Sequence, residues 1–225
     1  MSQDQWSAVD RYITDLYVPP DPALDGALRS MAAEGIPLIN VTPNQGRLLH
    51  ILALAKGARN ILEIGTLGGY SAIWLARALA PGGRLITLEA NPKHATLARA
   101  NIANAGLAEV VDVRLGPALE TLPQLVAEQA GPFDLVFIDA DTLNTTAYIA
   151  WSLKLTQPGS LIITDNVVRD GAVLDVASSD PYTQAVRDIN ETLASAPGLA
   201  ATVLQTVGSK GYDGLALAVV TEQKH

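Results

Sequence analysis

Ile61-Leu-Glu63-Ile-Gly65-Thr-Leu-Gly68-Gly69-Tyr-Ser71 joins an apolar run to a helix-length segment through a loop rich in glycine. Glycine lets the backbone turn sharply and approach a ligand closely, and a helix start offers free N–H groups and the positive end of its dipole. Ser71 is placed to cap that helix. The same stretch also reads as a strand-to-helix turn that needs glycine for its geometry alone. Either way a strand precedes the loop and a helix follows it.

Outward from this unit the pattern repeats. Strand-like runs rich in Ile, Leu and Val occupy Asn60–Ile64, Arg84–Glu89, Val110–Leu115, Asp134–Ile138, Ser160–Thr164, Thr202–Val207 and Leu215–Val220. The middle runs are apolar throughout rather than alternating, as in strands covered on both faces. Helix-length segments lie between them at Ser71–Leu79, Pro92–Asn104, Pro117–Gln129, Thr145–Leu155 and Pro181–Ala194. Alternation of this kind predicts an α/β fold with a doubly wound, mostly parallel seven-stranded sheet of Rossmann-like type. The last two runs are joined by Gly208-Ser-Lys-Gly211-Tyr-Asp-Gly214, too short for a crossover, so they form an antiparallel C-terminal hairpin. Residues 1–58 read as N-terminal helices, Asp4–Tyr17, one begun by Asp21-Pro22, and Pro43–Lys56, appended to a core at 59–225. The whole chain of 225 residues reads as one domain.

Composition narrows the function. The chain is 48% hydrophobic and 17% charged, with net charge −8 and no cysteine. An acidic surface is repelled by phosphate backbones, which argues against nucleic-acid binding. Lack of cysteine excludes disulfides, iron–sulfur clusters and thiolate zinc sites. No apolar run reaches the roughly 18 residues of a membrane span and no signal peptide is legible, so a cytoplasmic protein is expected.

The loop also says which ligands fit. Its Glu-x-Gly-x-x-Gly-Gly spacing lacks the second glycine of the nicotinamide fingerprint and the Gly-Lys-Ser/Thr ending of a phosphate loop. Glu63 would repel a pyrophosphate, whereas Glu89, at the end of the second strand, is placed to accept ribose hydroxyls. A nucleoside without phosphates fits, and S-adenosylmethionine is such a molecule. Further on, Phe137-Ile-Asp139-Ala-Asp141 and Thr164-Asp165-Asn166 close the fourth and fifth strands. Neighbouring strands lie ~4.8 Å apart, so Asp139, Asp165 and Asn166 can converge. Their oxygens suit Mg²⁺, Mn²⁺ or Ca²⁺; equally, each can cap the turn that follows it. His50, His94 and His225 read as surface or packing residues.

Glu63–Ser71, Gly116-Pro-Ala118, Phe133–Asp141 and Thr164–Gly171 together resemble the cation-dependent S-adenosylmethionine O-methyltransferases of the catechol and caffeoyl-CoA type. The likeness runs from Val41 to Leu217. It implies a metal held by Asp139, Asp165 and Asn166, and a cofactor site lined by Val41, Glu63, Gly65, Ser71, Glu89, Ala118 and Asp139. Thr66, Gly69 and Tyr70 join that set by their place on the loop. It further implies a small aromatic acceptor with two adjacent hydroxyls, and a homodimer with the N-terminal helices as candidate interface. One departure stands out: the family's Asp-Lys-x-Asn-Tyr continues here as Asp141-Thr142-Leu-Asn144-Thr145. The lysine that serves the family as general base is missing, so either the metal alone ionises the acceptor, another group such as Lys210 or Asp141 substitutes, or activity is reduced. The tryptophan common in the family near Arg169 is also absent. Two rivals follow, a nicotinamide-dependent oxidoreductase and a non-catalytic or altered-specificity S-adenosylmethionine binder.

Overall fold

The computed structural model describes residues 2–221. Seven strands form one sheet: β1 (Asn60–Ile64), β2 (Arg84–Glu89), β3 (Val111–Leu115), β4 (Phe133–Ile138), β5 (Thr156–Asp165), β6 (Leu199–Gly208) and β7 (Gly211–Val220). Their order is β3-β2-β1-β4-β5-β7-β6. The first five run parallel, and β7 is antiparallel to both β5 and β6. The chain therefore leaves β1 in one direction through β2 and β3, and returns to its other side through β4 and β5. In such a sheet the crevice opens where the order reverses, at the carboxyl ends of β1 and β4.

The helices are α1 (Gln3–Tyr17), α2 (Pro22–Ala33), α3 (Pro43–Lys56), α4 (Tyr70–Ala76), α5 (Pro92–Asn104), α6 (Ala118–Ala127), α7 (Thr145–Lys154) and α8 (Pro181–Ser195). Local chemistry starts several of them. Asp21 accepts from the N–H groups of Ala23 and Leu24 with Pro22 behind it, and Thr42 and Gln45 form a reciprocal capping box at α3. Leu24, Met31, Leu49, Ile73 and Ile102 from α2 to α5 pack with Ile61, Leu85 and Phe137 on one face of the sheet. Leu122, Leu125, Ile149 and Ile189 from α6 to α8 pack with Leu62, Ile86 and Val136 on the other. Adjacent residues Ile61 and Leu62 thus serve opposite cores, which is why β1 reads as uninterrupted apolar sequence. No residue of α1 is buried, and Val9, Tyr12, Leu16 and Tyr17 remain exposed along it. No described helix is long and apolar enough to cross a membrane.

Two local expectations are corrected. Ser71 does not cap α4: the cap position is Gly69, at φ 86°, and the helix begins at Tyr70 without a side-chain cap. The loop enters the helix in a left-handed conformation that glycine supplies, and no side chain at the cap is needed. The hairpin strands also run further than their apolar stretches. They pair from Leu199↔Val220 to Gly208↔Gly211, leaving Ser209 and Lys210 as the turn. Backbone ladders continue through Tyr212 and Asp213, whose polarity hides them from a hydrophobic reading.

Candidate active site

Gly65 follows β1 at the reversal point. Its N–H donates to the Leu88 carbonyl at 3.0 Å, while the Asp139 N–H donates to the Ile64 carbonyl at 3.0 Å. The loop is thereby pressed between β2 and β4. Glu89 holds it from the side: Oε2 accepts from the Leu67 N–H at 2.8 Å and Oε1 from the Asn91 N–H at 2.9 Å. His94 Nδ1 stands 3.6 Å from the same Oε1.

Above the loop lies a cavity of about 490 Å³, lined by Gly65, Thr66, Tyr70, Ser71, Glu89, Ala118 and Asp139 among others. Three residues expected with them do not line it. Gly69 turns the chain into α4, Glu63 lies buried beneath, and Val41 faces a neighbouring cavity. Tyr148, His94 and Arg169 line the cavity although sequence reasoning did not place them there. Tyr148 and His94 belong to no local motif and arrive on α7 and α5, while Arg169 lies in the stretch after β5 but gives no sign of its own that it turns into the cavity.

Glu63 is fully buried. Its Oε2 accepts from the Thr87 hydroxyl at 2.5 Å, Thr87 in turn lies 2.5 Å from the Thr66 hydroxyl, and Oε1 has no partner. Burial, with a smaller push from the Glu89 charge, raises the carboxyl to about 7 against the hydroxyls of Ser71 and Thr87. A folded-state pKa above the unfolded one means that the folded chain keeps its proton longer, so this group's contribution to stability falls as pH rises from about 4.5 through 7. Glu63→Gln is expected to remove roughly 3 kcal/mol of that pH dependence in the ligand-free protein. Denaturant melts of wild type and variant at pH 5 and pH 8 check it; parallel losses in both would count against it.

Asp139 follows β4, and Asp165 closes the neighbouring β5 with Asn166 after it. Burial pushes Asp139 upward, with Asp165 and Glu63 adding to it, while Lys210 and Arg169 hold it down. Burial also raises Asp165, helped by Asp213 and opposed by the Asn166 N–H, Arg169 and Lys210. Two carboxylates crowded together in a low-polarity crevice carry a charge deficit that a cation relieves. Among the described residues no cluster of three or more His, Cys, Asp or Glu is found; the third oxygen here is the amide of Asn166. Two carboxylates and an amide fit a hard divalent ion, not a soft one.

A second cavity, about 450 Å³, opens on the far side of the acid pair. Ile13, Ile39, Leu48 and Val207 give it apolar walls, and Asp165, Asn166 and Lys210 line it too. Ile39, Asn40 and Asn166 border both cavities, while Asp139 lines only the first and Asp165 only the second. Lys210 sits in the hairpin turn, its ammonium donating to the carbonyls of Leu38 and Asn40. Burial pulls it below the ordinary lysine range, and the charges of Asp139 and Asp165 oppose that. Thr142 is buried, and its hydroxyl accepts from the Arg169 guanidinium at 2.7 Å. Asp141 accepts from the Tyr148 hydroxyl at 2.5 Å.

The chain as a whole is similar to known proteins. Residues 21–219 match the model of a family described as O-methyltransferase. The chain is 53% identical over 220 residues to a protein of Niastella koreensis named catechol O-methyltransferase, covering 98% of this chain and all of that one. It is 50% identical over 212 residues to a Mycobacterium tuberculosis protein of the same name, covering 94% of each. The crystal structure of an O-methyltransferase from Bacillus cereus in complex with SAH superposes with a TM-score of 0.96 at 53% identity, covering 98% of this chain and 100% of that one. Fold and sequence agree, and the chain belongs to the O-methyltransferase family.

Proposed function

We propose that the chain transfers the methyl group of S-adenosylmethionine to one hydroxyl of a vicinal dihydroxy-aromatic molecule, with a divalent cation chelating the acceptor. The observation that carries this reading is that two cavities share Asn166 as a lining residue, with Asp139 lining one and Asp165 the other. The names of the relatives support it, as does the bound SAH of the Bacillus cereus structure.

In this reading the first cavity takes the donor. Gly65 lets it lie close to the backbone, and Glu89 has lone pairs beyond its two backbone bonds for ribose hydroxyls. Asp139, Asp165 and Asn166 would hold Mg²⁺ or a similar ion, which when bound lowers the pKa of adjacent hydroxyls and fixes one of them in place. The apolar walls of the second cavity cover an aromatic ring and keep water from its hydroxyls. In-line transfer from an already activated sulfonium then depends mainly on alignment. Thr142 cannot supply the base, since a hydroxyl is not ionised at neutral pH and this one is tied to Arg169. Lys210 lines the acceptor cavity, and burial shifts it in the direction that a proton-accepting amine requires.

Labelled S-adenosylmethionine and a simple catechol test the reading directly. Transfer is expected with Mg²⁺ and is expected to disappear with excess chelator. Transfer that survives the chelator would remove the cation, and no transfer in either arm would remove the catechol.

A further inference from the structure

Asn166 is useful as a ligand only if its amide presents oxygen, not nitrogen, to the acid pair. The two edges of a primary amide differ in chemistry but hardly in shape, so something must choose between them. The backbone does not, although it fixes where the side chain starts: Asn166 sits at φ 61°, a left-handed conformation that asparagine tolerates.

Asp213 supplies the choice. Its Oδ1 accepts from three backbone N–H groups, those of Val168 at 2.9 Å, Arg169 at 2.9 Å and Gly214 at 2.8 Å. These bonds pin the carboxylate against the turn that follows Asn166. Its Oδ2 then faces the Asn166 amide, with Nδ2 at 3.4 Å. A carboxylate oxygen accepts and does not donate, so the amide edge turned toward it must be nitrogen, and the oxygen is left on the opposite edge. We infer that Asp213 is a positioning residue that orients the Asn166 amide and so presents its oxygen to the metal site. The inference rests on the cation proposed above. It concerns a partner outside the ligands themselves, a class of contact whose loss typically weakens metal binding about 10- to 100-fold.

Mn²⁺ binding, followed by the spin-resonance signal of the free ion without S-adenosylmethionine, tests this apart from activity. Asp213→Asn keeps an oxygen for the three backbone bonds but replaces the second oxygen with an NH₂ group, which the Asn166 amide can face only by flipping. We expect Mn²⁺ affinity to fall about tenfold, with the melting temperature and SAH affinity close to wild type. The paired swap Asn166→Asp with Asp213→Asn reverses donor and acceptor and leaves a carboxylate oxygen toward the metal, so it is expected to return affinity to within about threefold of wild type. A wild type that fails to bind Mn²⁺ overturns the cation and this inference together. Wild-type binding with no loss in Asp213→Asn overturns the inference alone. A loss that the swap does not restore makes Asp213 only a prop for the turn, and also overturns it. Should the single variant not fold, the swap decides by the same criterion.

Discussion

Asp165→Ala is expected to lower methyl transfer to a catechol by about 1000-fold while leaving the protein folded and able to bind SAH. The size follows from what the ion contributes. Charge stabilisation by a bound divalent cation is worth several kcal/mol, and roughly 4 kcal/mol corresponds to about three powers of ten in rate. Selectivity follows from position, because Asp165 lines the second cavity and not the one above the glycine loop. The effect on stability is small for a specific reason. Losing Asp165 leaves the Asn166 N–H without its 2.8 Å acceptor, at a cost of about 1 kcal/mol. The same change removes the charge that helps push Asp139 upward, which offsets that cost at neutral pH. Rate, SAH titration and melting temperature must therefore separate. Equal loss of all three would mean that Asp165 holds the fold together, and an unchanged rate would take the cation out of the reaction.

The residues in this argument were legible in the sequence to very different degrees. Asp139, Asp165 and Asn166 announce themselves because each ends an apolar run, and the strand ends of a parallel sheet are where ligands bind. Gly65 and Glu89 are visible for the same reason. Ser71 misled: its hydroxyl makes it a good cap in isolation, but Gly69 adopts a backbone conformation closed to most residues and takes that place. Val41, which the resemblance places beside the cofactor, lines the second cavity, because the segment before α3 packs over that side. The sequence does not single out Asp213 or Tyr148, and it marks Arg169 only by the tryptophan missing near it. Asp213 acts on Asn166 across 47 residues of sequence, a contact made only when β7 pairs with β5. Thr142 shows the reverse case, a departure obvious in the sequence whose consequence, a hydroxyl held by Arg169, only the fold displays.

Gly65→Ala should be the most damaging single methyl group in the chain. Gly65 stands at φ 100°, and a Cβ built there falls 2.0 Å from the backbone oxygen of Asp139. Backbone in the middle of a sheet cannot move aside as a side-chain tip can. Asp139 could retreat only by stretching its bond to the Ile64 carbonyl, and that would displace a residue lining the cofactor cavity. Conformational strain and overpacking each cost about 1–3 kcal/mol, so about 4 kcal/mol is expected, or a fall in melting temperature of roughly 8–16 °C. SAH affinity is expected to drop about 100-fold or more in whatever protein remains folded, since the change narrows the cavity where the ligand must approach the backbone. Gly106→Ala separates the two contributions. Gly106 has a similar positive φ of 74°, but nothing lies within 4 Å of its added methyl group. That variant pays for conformation alone, about 1–2 kcal/mol, and keeps its SAH affinity. If both variants melt alike and bind SAH alike, the close approach of the loop to β4 is not what shapes the donor site. If only Gly65→Ala fails, the contact between a glycine after β1 and a carbonyl after β4 is what holds the loop and Asp139 in register.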